Sequence, residues 1–227
     1  MMSRPTAWHL SLGGLAATLL ACATGCTATV PSPDPAVDSS SPDASEGSTV
    51  GEGGTHVLDP GGLGAGTRYV IESLGVSIQP DVDGWFAVMP QGGDAALSRE
   101  DVTVYFLAPD TMLAPGGARV DAPADPQELL DAVDASGIVN VVTTEPFESN
   151  GISGLSAELD ASGGSRDLVL LTTASGEYGL VDGQFQWIVI ERDGAPVVVS
   201  VERADAPDID AAWEIAGPLA ESLDAAP

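Results

Sequence analysis

The chain has 227 residues, 44% of them hydrophobic, which is enough for one ordinary domain with a real core. Its formal charge is −27 and it contains no lysine. That balance excludes nucleic-acid binding, which is built on phosphate neutralisation by Lys and Arg, and argues against adhesion to an anionic lipid surface.

The N-terminus reads as a processing signal. Arg4 supplies a positive start, and the apolar run from Leu10 to Ala21 covers 12 residues. That is signal-peptide length, whereas a membrane-spanning helix needs roughly 20. The run ends in Ala23-Thr24-Gly25-Cys26, which resembles the lipobox of bacterial lipoproteins. The resemblance implies that Cys26 carries a diacylglyceryl group, with acyl chains such as palmitate, and becomes the first mature residue. Cys22, after Leu19-Leu20-Ala21, is the alternative, with a bulky Leu20 where a small residue is usual. Processing at Cys26 leaves no other cysteine, whereas processing at Cys22 leaves Cys26 as an odd thiol. Two acyl chains hold a protein stably where one does not. The expected location is the outer face of the bacterial cytoplasmic membrane, with residues 1–25 as signal peptide.

Residues 26–63 are dominated by Pro, Ser, Gly, Thr, Asp and Ala. Such a stretch cannot bury enough apolar surface to offset its ordering entropy, so it is expected to be a disordered tether with a mean reach of roughly 30–35 Å. The globular domain is expected over 64–227.

Within it, Arg68–Ser73 and Leu74–Gln79 read as strands. Asp81-Val82-Asp83-Gly84 follows; it lacks the further ligands of a calcium loop and reads as a turn. Gly84–Val88 and Val102–Leu107 are further strands, the second rich in β-branched and aromatic residues. Asp110–Asp125 reads as a long acidic loop. Asp125, Pro126 and Glu128 then supply a cap, a first helical residue and a capping-box spacing. Leu129, Leu130 and Val133 make the apolar face of that helix, and Gly137 its stop.

Ile138–Thr143 is the next strand, Asn150-Gly151 a turn, and Leu155–Leu159 and Leu168–Thr172 further strands. Gln186–Arg192 and Pro196–Arg203 flank Asp193-Gly194, the pattern of a hairpin with a primed turn. Both strands are apolar on both faces, which predicts a central place in a covered sheet. Asp205, Asp208 and Asp210 suit the start of a last helix, from about Pro207 to Leu223. Ile209, Ala212, Trp213, Ala216, Leu219, Ala220 and Leu223 fall on one face, and Pro218 is expected to kink or split the helix. The fold class is α+β: a mostly antiparallel sheet packed by a mid-chain helix and a C-terminal amphipathic helix.

Several short motifs recur together: Ala65-Gly66-Thr67-Arg68-Tyr69, Val76-Ser77-Ile78-Gln79-Pro80 before Gly84-Trp85, Asn150-Gly151-Ile152-Ser153-Gly154, and Ala220-Glu221-Ser222-Leu223. They resemble the uncharacterised actinobacterial lipoproteins that share a PsbP-like α/β sandwich. The resemblance implies an antiparallel sheet flanked by helices, no known catalysis, and accessory or carrier roles in the cell envelope.

The chemical inventory agrees. The basic residues beyond the leader are Arg68, Arg99, Arg119, Arg166, Arg192 and Arg203. Without lysine there is no Schiff-base chemistry, and with the cysteine acylated there is no thiol catalysis. Of two histidines, His9 leaves with the signal and His56 sits in a Gly-rich stretch, so neither a Ser-His-Asp triad nor a His/Cys zinc site is expected. No catalytic, cofactor or metal role is assigned to any residue. A carboxylate-based hydrolase would need two acids facing each other in a cleft, and aromatic sugar platforms are scarce. Two non-enzymatic roles remain: docking of an envelope protein partner, or carriage of an apolar or lipid-like ligand between sheet and last helix, near Trp187 and Trp213. Trp85, Trp187 and Trp213 otherwise read as core.

Overall fold

The computed structural model describes residues 54–90, 92–161, 169–180, 182–203 and 209–227. The signal peptide, Cys22, Cys26, Arg166, Leu168, Asp205 and Asp208 lie outside them.

Strand pairing begins at β1 (Thr55–Val57) and β2 (Gly61–Leu63), ahead of the boundary expected at residue 64. Composition hid them because so few apolar residues suffice. Val57 is paired to a neighbouring strand, and Leu58 and Leu63 are buried in the core. Next come β3 (Arg68–Ile71), a 3-10 turn at Glu72–Leu74, β4 (Val76–Ile78) and β5 (Trp85–Val88). A strand that composition did not suggest, β6 (Ala95–Arg99), precedes β7 (Val102–Leu107). The expected acidic loop is instead a hairpin of β8 (Pro109–Leu113) and β9 (Arg119–Asp121), closed through Gly116 and Gly117, both at φ 86°. Helix α1 (Pro126–Ala135) starts as its sequence dictates: the Asp125 carboxylate accepts the Glu128 N–H at 2.9 Å.

The second half continues with β10 (Asn140–Ser149), β11 (Ile152–Asp160), β12 (Leu171–Thr173), β13 (Gly176–Tyr178), β14 (Gln184–Arg192), β15 (Ala195–Arg203), α2 (Ile209–Glu221) and β16 (Asp224–Ala225). Two tight hairpins are set by residues that tolerate left-handed backbone: Asn150-Gly151 at φ 45° and 83°, and Asp193-Gly194 at 53° and 80°. Pro218 does not split α2, which runs through it. Pro218 and Glu214 one turn before it are both exposed, so the carbonyl left without an amide partner sits on the solvent face. Asp210 stands in the first turn of α2, as the macrodipole favours.

The chain is an α+β domain. Its centre is an eight-stranded sheet of order β10-β11-β14-β15-β7-β6-β5-β2, antiparallel throughout. One face carries α2 and a small sheet of order β1-β3-β4-β16. The other carries α1 and a small sheet of order β13-β12-β8-β9. The period of two sorts the hairpin residues between these cores: Ile188, Ile190, Val197, Val199 and Val201 face α2, and Phe185, Trp187, Val189 and Val198 face α1. This is why both strands of the hairpin are apolar throughout.

The two edges of the big sheet differ. The edge strand β10 is long and mostly exposed, but Pro146, a bulge between Val141 and Thr143, and Glu145 and Glu148 spoil it as a template for another strand. The opposite end, β6-β5-β2, is short-stranded, and no described element covers its α1-side face beyond Tyr105.

Candidate functional site

The site lies where the small sheet β13-β12 ends and the α1-side face of the central sheet becomes exposed. Strand register places two rows of side chains across that face. One row runs Gly62, Phe86, Ser98, Thr103, Glu202; the next runs Val88, Ala96, Tyr105, Ser200, Trp187. The hydrogen bond between the Ser98 and Thr103 hydroxyls, at 3.2 Å, confirms that these side chains share a face. Both rows begin in solvent, with Phe86 and Val88 54% and 49% exposed; the first ends at the partly buried Glu202, and the second runs into the core at Ser200 and Trp187, which are fully buried.

Over the buried end, Tyr178 on β13 lies against the central sheet. Its hydroxyl reaches Ser200 Oγ at 2.8 Å and donates to the Glu202 carboxyl. The Tyr105 and Tyr178 rings meet edge to face, with centroids 5.5 Å apart and planes at 60°. Burial drives the Glu202 pKa up to about 7, partly offset by the Tyr178 hydroxyl it accepts. Burial, reinforced by Glu202, also raises the Tyr105 pKa, and raises that of Tyr178 well above the ordinary tyrosine value.

A second tie holds the β12–β13 turn. Asp94 is 5% exposed; its Oδ1 accepts the Ala108 N–H at 3.1 Å and its Oδ2 the Thr173 hydroxyl at 2.6 Å, while its own N–H donates to Ser175 Oγ at 3.2 Å. Between these two ties opens a pocket of about 150 Å³, walled by Pro90, Leu107, Tyr105 and Tyr178, with Asp94 inside and Glu177 at the rim.

The other candidate residues stand elsewhere. Asp83 Oδ1 accepts the Ala65 N–H at 2.7 Å and Gly84 sits at φ 97°, so Asp81–Gly84 is a turn clamp. Among the described residues no three His, Cys, Asp or Glu side chains are grouped to hold a metal ion. His56 lies on β1, exposed, its ring centroid 6.2 Å from that of Tyr69. Trp85 and Trp187 are core, on opposite faces of the sheet. Trp213 is only partly buried and folds along its own helix; a Cβ at Gly217 would sit 3.2 Å from its Nε1. Trp187 and Trp213 therefore belong to different layers and cannot line one cavity. Among the described residues no helix is long and apolar enough to cross a membrane.

Tyr105, Tyr178, Ser200, Glu202 and Asp94 were not picked out by sequence motifs. A signal existed for two of them: Ser200 and Glu202 are polar at alternate positions of an otherwise apolar strand, hence on one face. Of their partners, Tyr105 sits on a strand that is readable, whereas Tyr178 is on the three-residue β13 and Asp94 immediately precedes β6, neither of which the sequence pattern marks.

No family model matches the chain, and neither does any curated protein. Among solved structures the chain is similar to the solution structure of cyanobacterial PsbP (CyanoP) from Synechocystis sp. PCC 6803. The likeness has 12% identity and a TM-score of 0.40, over 82% of this chain and 99% of that one. At that level it carries no inference about activity, and the α+β class rests on the strand order and layers themselves.

Proposed function

We propose that this protein is an extracytoplasmic lipoprotein, anchored through Cys26, whose domain is a non-catalytic accessory module docking an envelope protein. The observation that carries the docking role is the uncovered end of the central sheet. Phe86 and Val88 stand side by side on one face, more than half of the Phe86 surface is in solvent, and Ala96 and Ser98 beside them add no bulk. Large apolar residues grouped on a sheet face mark interaction surfaces more often than scattered ones do. The short acidic turns around them (Asp81, Asp83, Glu100, Asp101) and the overall charge of −27 favour a partner with an apolar centre and a basic rim.

Two tests separate anchor from docking. Cys26→Ala should move the protein from the membrane fraction to the medium. Release by Cys22→Ala instead would make Cys22 the lipidated residue, and release by neither would remove the anchor. A photo-crosslinking residue at position 86 or 88 should give one discrete adduct in cells, and the same residue at Val142, equally exposed at the other end of the sheet, should give none. Phe86→Ser should weaken the association about tenfold or more while leaving the fold intact, since an exposed side chain carries little stability. Equal adducts at 86 and 142 would overturn the docking face.

A further inference from the structure

The pocket at the inner end of the docking face has a composition that selects a ligand group. Two tyrosine rings and the apolar walls of Pro90 and Leu107 enclose about 150 Å³, and the polar groups of fixed charge type around it are acidic: Asp94 inside, Glu177 at the rim. None of the five described arginines is bonded there. Arg68 pairs with Asp224, Arg99 with Glu100 and Arg203 with Asp101, while Arg119 donates to the carbonyls of Val169 and Leu170 and Arg192 to that of Gly75. An aromatic, acidic pocket that has no cation of its own among the described residues is complementary to a flat cation with an apolar stem. The guanidinium of arginine stacks on tyrosine faces and donates to carboxylates, and its methylenes suit the apolar walls.

We propose that this pocket is the anchor subsite of the docking face and takes one basic side chain, arginine in preference to lysine, from the protein partner. The assignment rests on the docking role inferred above and names the chemistry of its partner. Tyr178 is fixed from below by Ser200 and Glu202, and the turn carrying Glu177 is fixed by Asp94, so the pocket is formed before anything enters it. A pre-formed pocket lowers the ordering cost of binding. The adjoining strip of Phe86 and Val88 would then receive apolar residues next to the arginine.

The chain has only three tyrosines, Tyr69, Tyr105 and Tyr178, so selective tyrosine labelling gives an NMR spectrum with two reporters in the pocket and one outside it. The full chain in detergent micelles is titrated with N-acetyl-arginine amide and, separately, with its neutral isostere N-acetyl-citrulline amide. The Tyr105 and Tyr178 signals should shift saturably with the arginine compound while Tyr69 stays still. The citrulline compound should bind at least tenfold more weakly. Tyr105→Leu should abolish the response and Tyr105→Phe, which keeps the ring, should retain it; an unchanged Tyr69 signal reports that either variant is folded. Absence of a saturable shift, or an equal response to citrulline, overturns the subsite. If the subsite fails while Phe86-dependent cross-linking persists, the docking face stands without it. If arginine binds but no adduct forms at 86 or 88, the docking face is the part that falls.

Discussion

Glu202→Gln should remove a stability loss of about 3 kcal/mol that the parent domain suffers between pH 4.5 and 7. The sign follows from the direction of the shift. Burial raises the Glu202 pKa from 4.5 to about 7, so between those values the folded protein keeps a proton that the unfolded chain releases. Where the folded state binds more protons, stability falls as pH rises. The contribution is fully present below pH 4.5, is lost progressively up to about pH 7, and is flat above it. At about 1.4 kcal/mol per unit, the shift sets the size of the loss. Gln is neutral at every pH and still offers an oxygen to the Tyr178 hydroxyl, so it keeps the hydrogen bond and drops the titration. Urea unfolding of both proteins across pH 4 to 8 measures the difference directly. Curves that run parallel would mean that Glu202 ionises as freely in the fold as out of it. Tyr105 and Tyr178 do not interfere, because both are pushed up from a value already far above this window.

The same cluster shows what was legible in the sequence and what was not. The Asp125 cap, the Asn150 and Asp193 turns and the β14–β15 hairpin were readable because each is a local event, decided by a few neighbouring residues. The central place of that hairpin was readable from strands apolar on both faces. β6, β8, β9 and β13 were not readable, and β12 was legible only with its start misplaced at Leu168, because strands of three to five residues carry too little periodicity to rise above a turn-rich background. They form because the large sheet offers them a surface. Met112 and Leu171 pair across β8 and β12, and both are fully buried against it. The pocket inherits that difficulty: Tyr105 is on a strand that could be read, but Tyr178 and Asp94 reach it only through elements stabilised by tertiary contacts. The tether boundary failed for the same reason, since Leu58 and Leu63 are few but buried.

Gly154→Ala should cost about 3 kcal/mol, a large effect for the addition of one methyl group. Gly154 lies in β11 between Phe147 of β10 and Ile190 of β14, so its strand is paired on both sides. A Cβ there would meet the Val189 carbonyl oxygen at 2.2 Å and Ile190 Cγ2 at 2.7 Å. The first contact is with backbone, which cannot swing aside as a side-chain tip can. The strands must part, and parting them strains the hydrogen-bond ladder that also fixes Leu155 to Val189 and Ala157 to Trp187. Gly151, three residues earlier in the same Asn-Gly-Ile-Ser-Gly motif, gives a control with a different mechanism. It sits at φ 83° with nothing near its missing Cβ, so Gly151→Ala carries only the strain of a left-handed backbone, about 1 kcal/mol. Denaturant midpoints of the two variants should therefore separate clearly, with Gly154→Ala the lower. Equal losses would mean that β11 can shift away from β14 without disturbing its neighbours. Such freedom would also loosen the support of Trp187, which lies beside Ser200 on the face that carries the Tyr178 cluster.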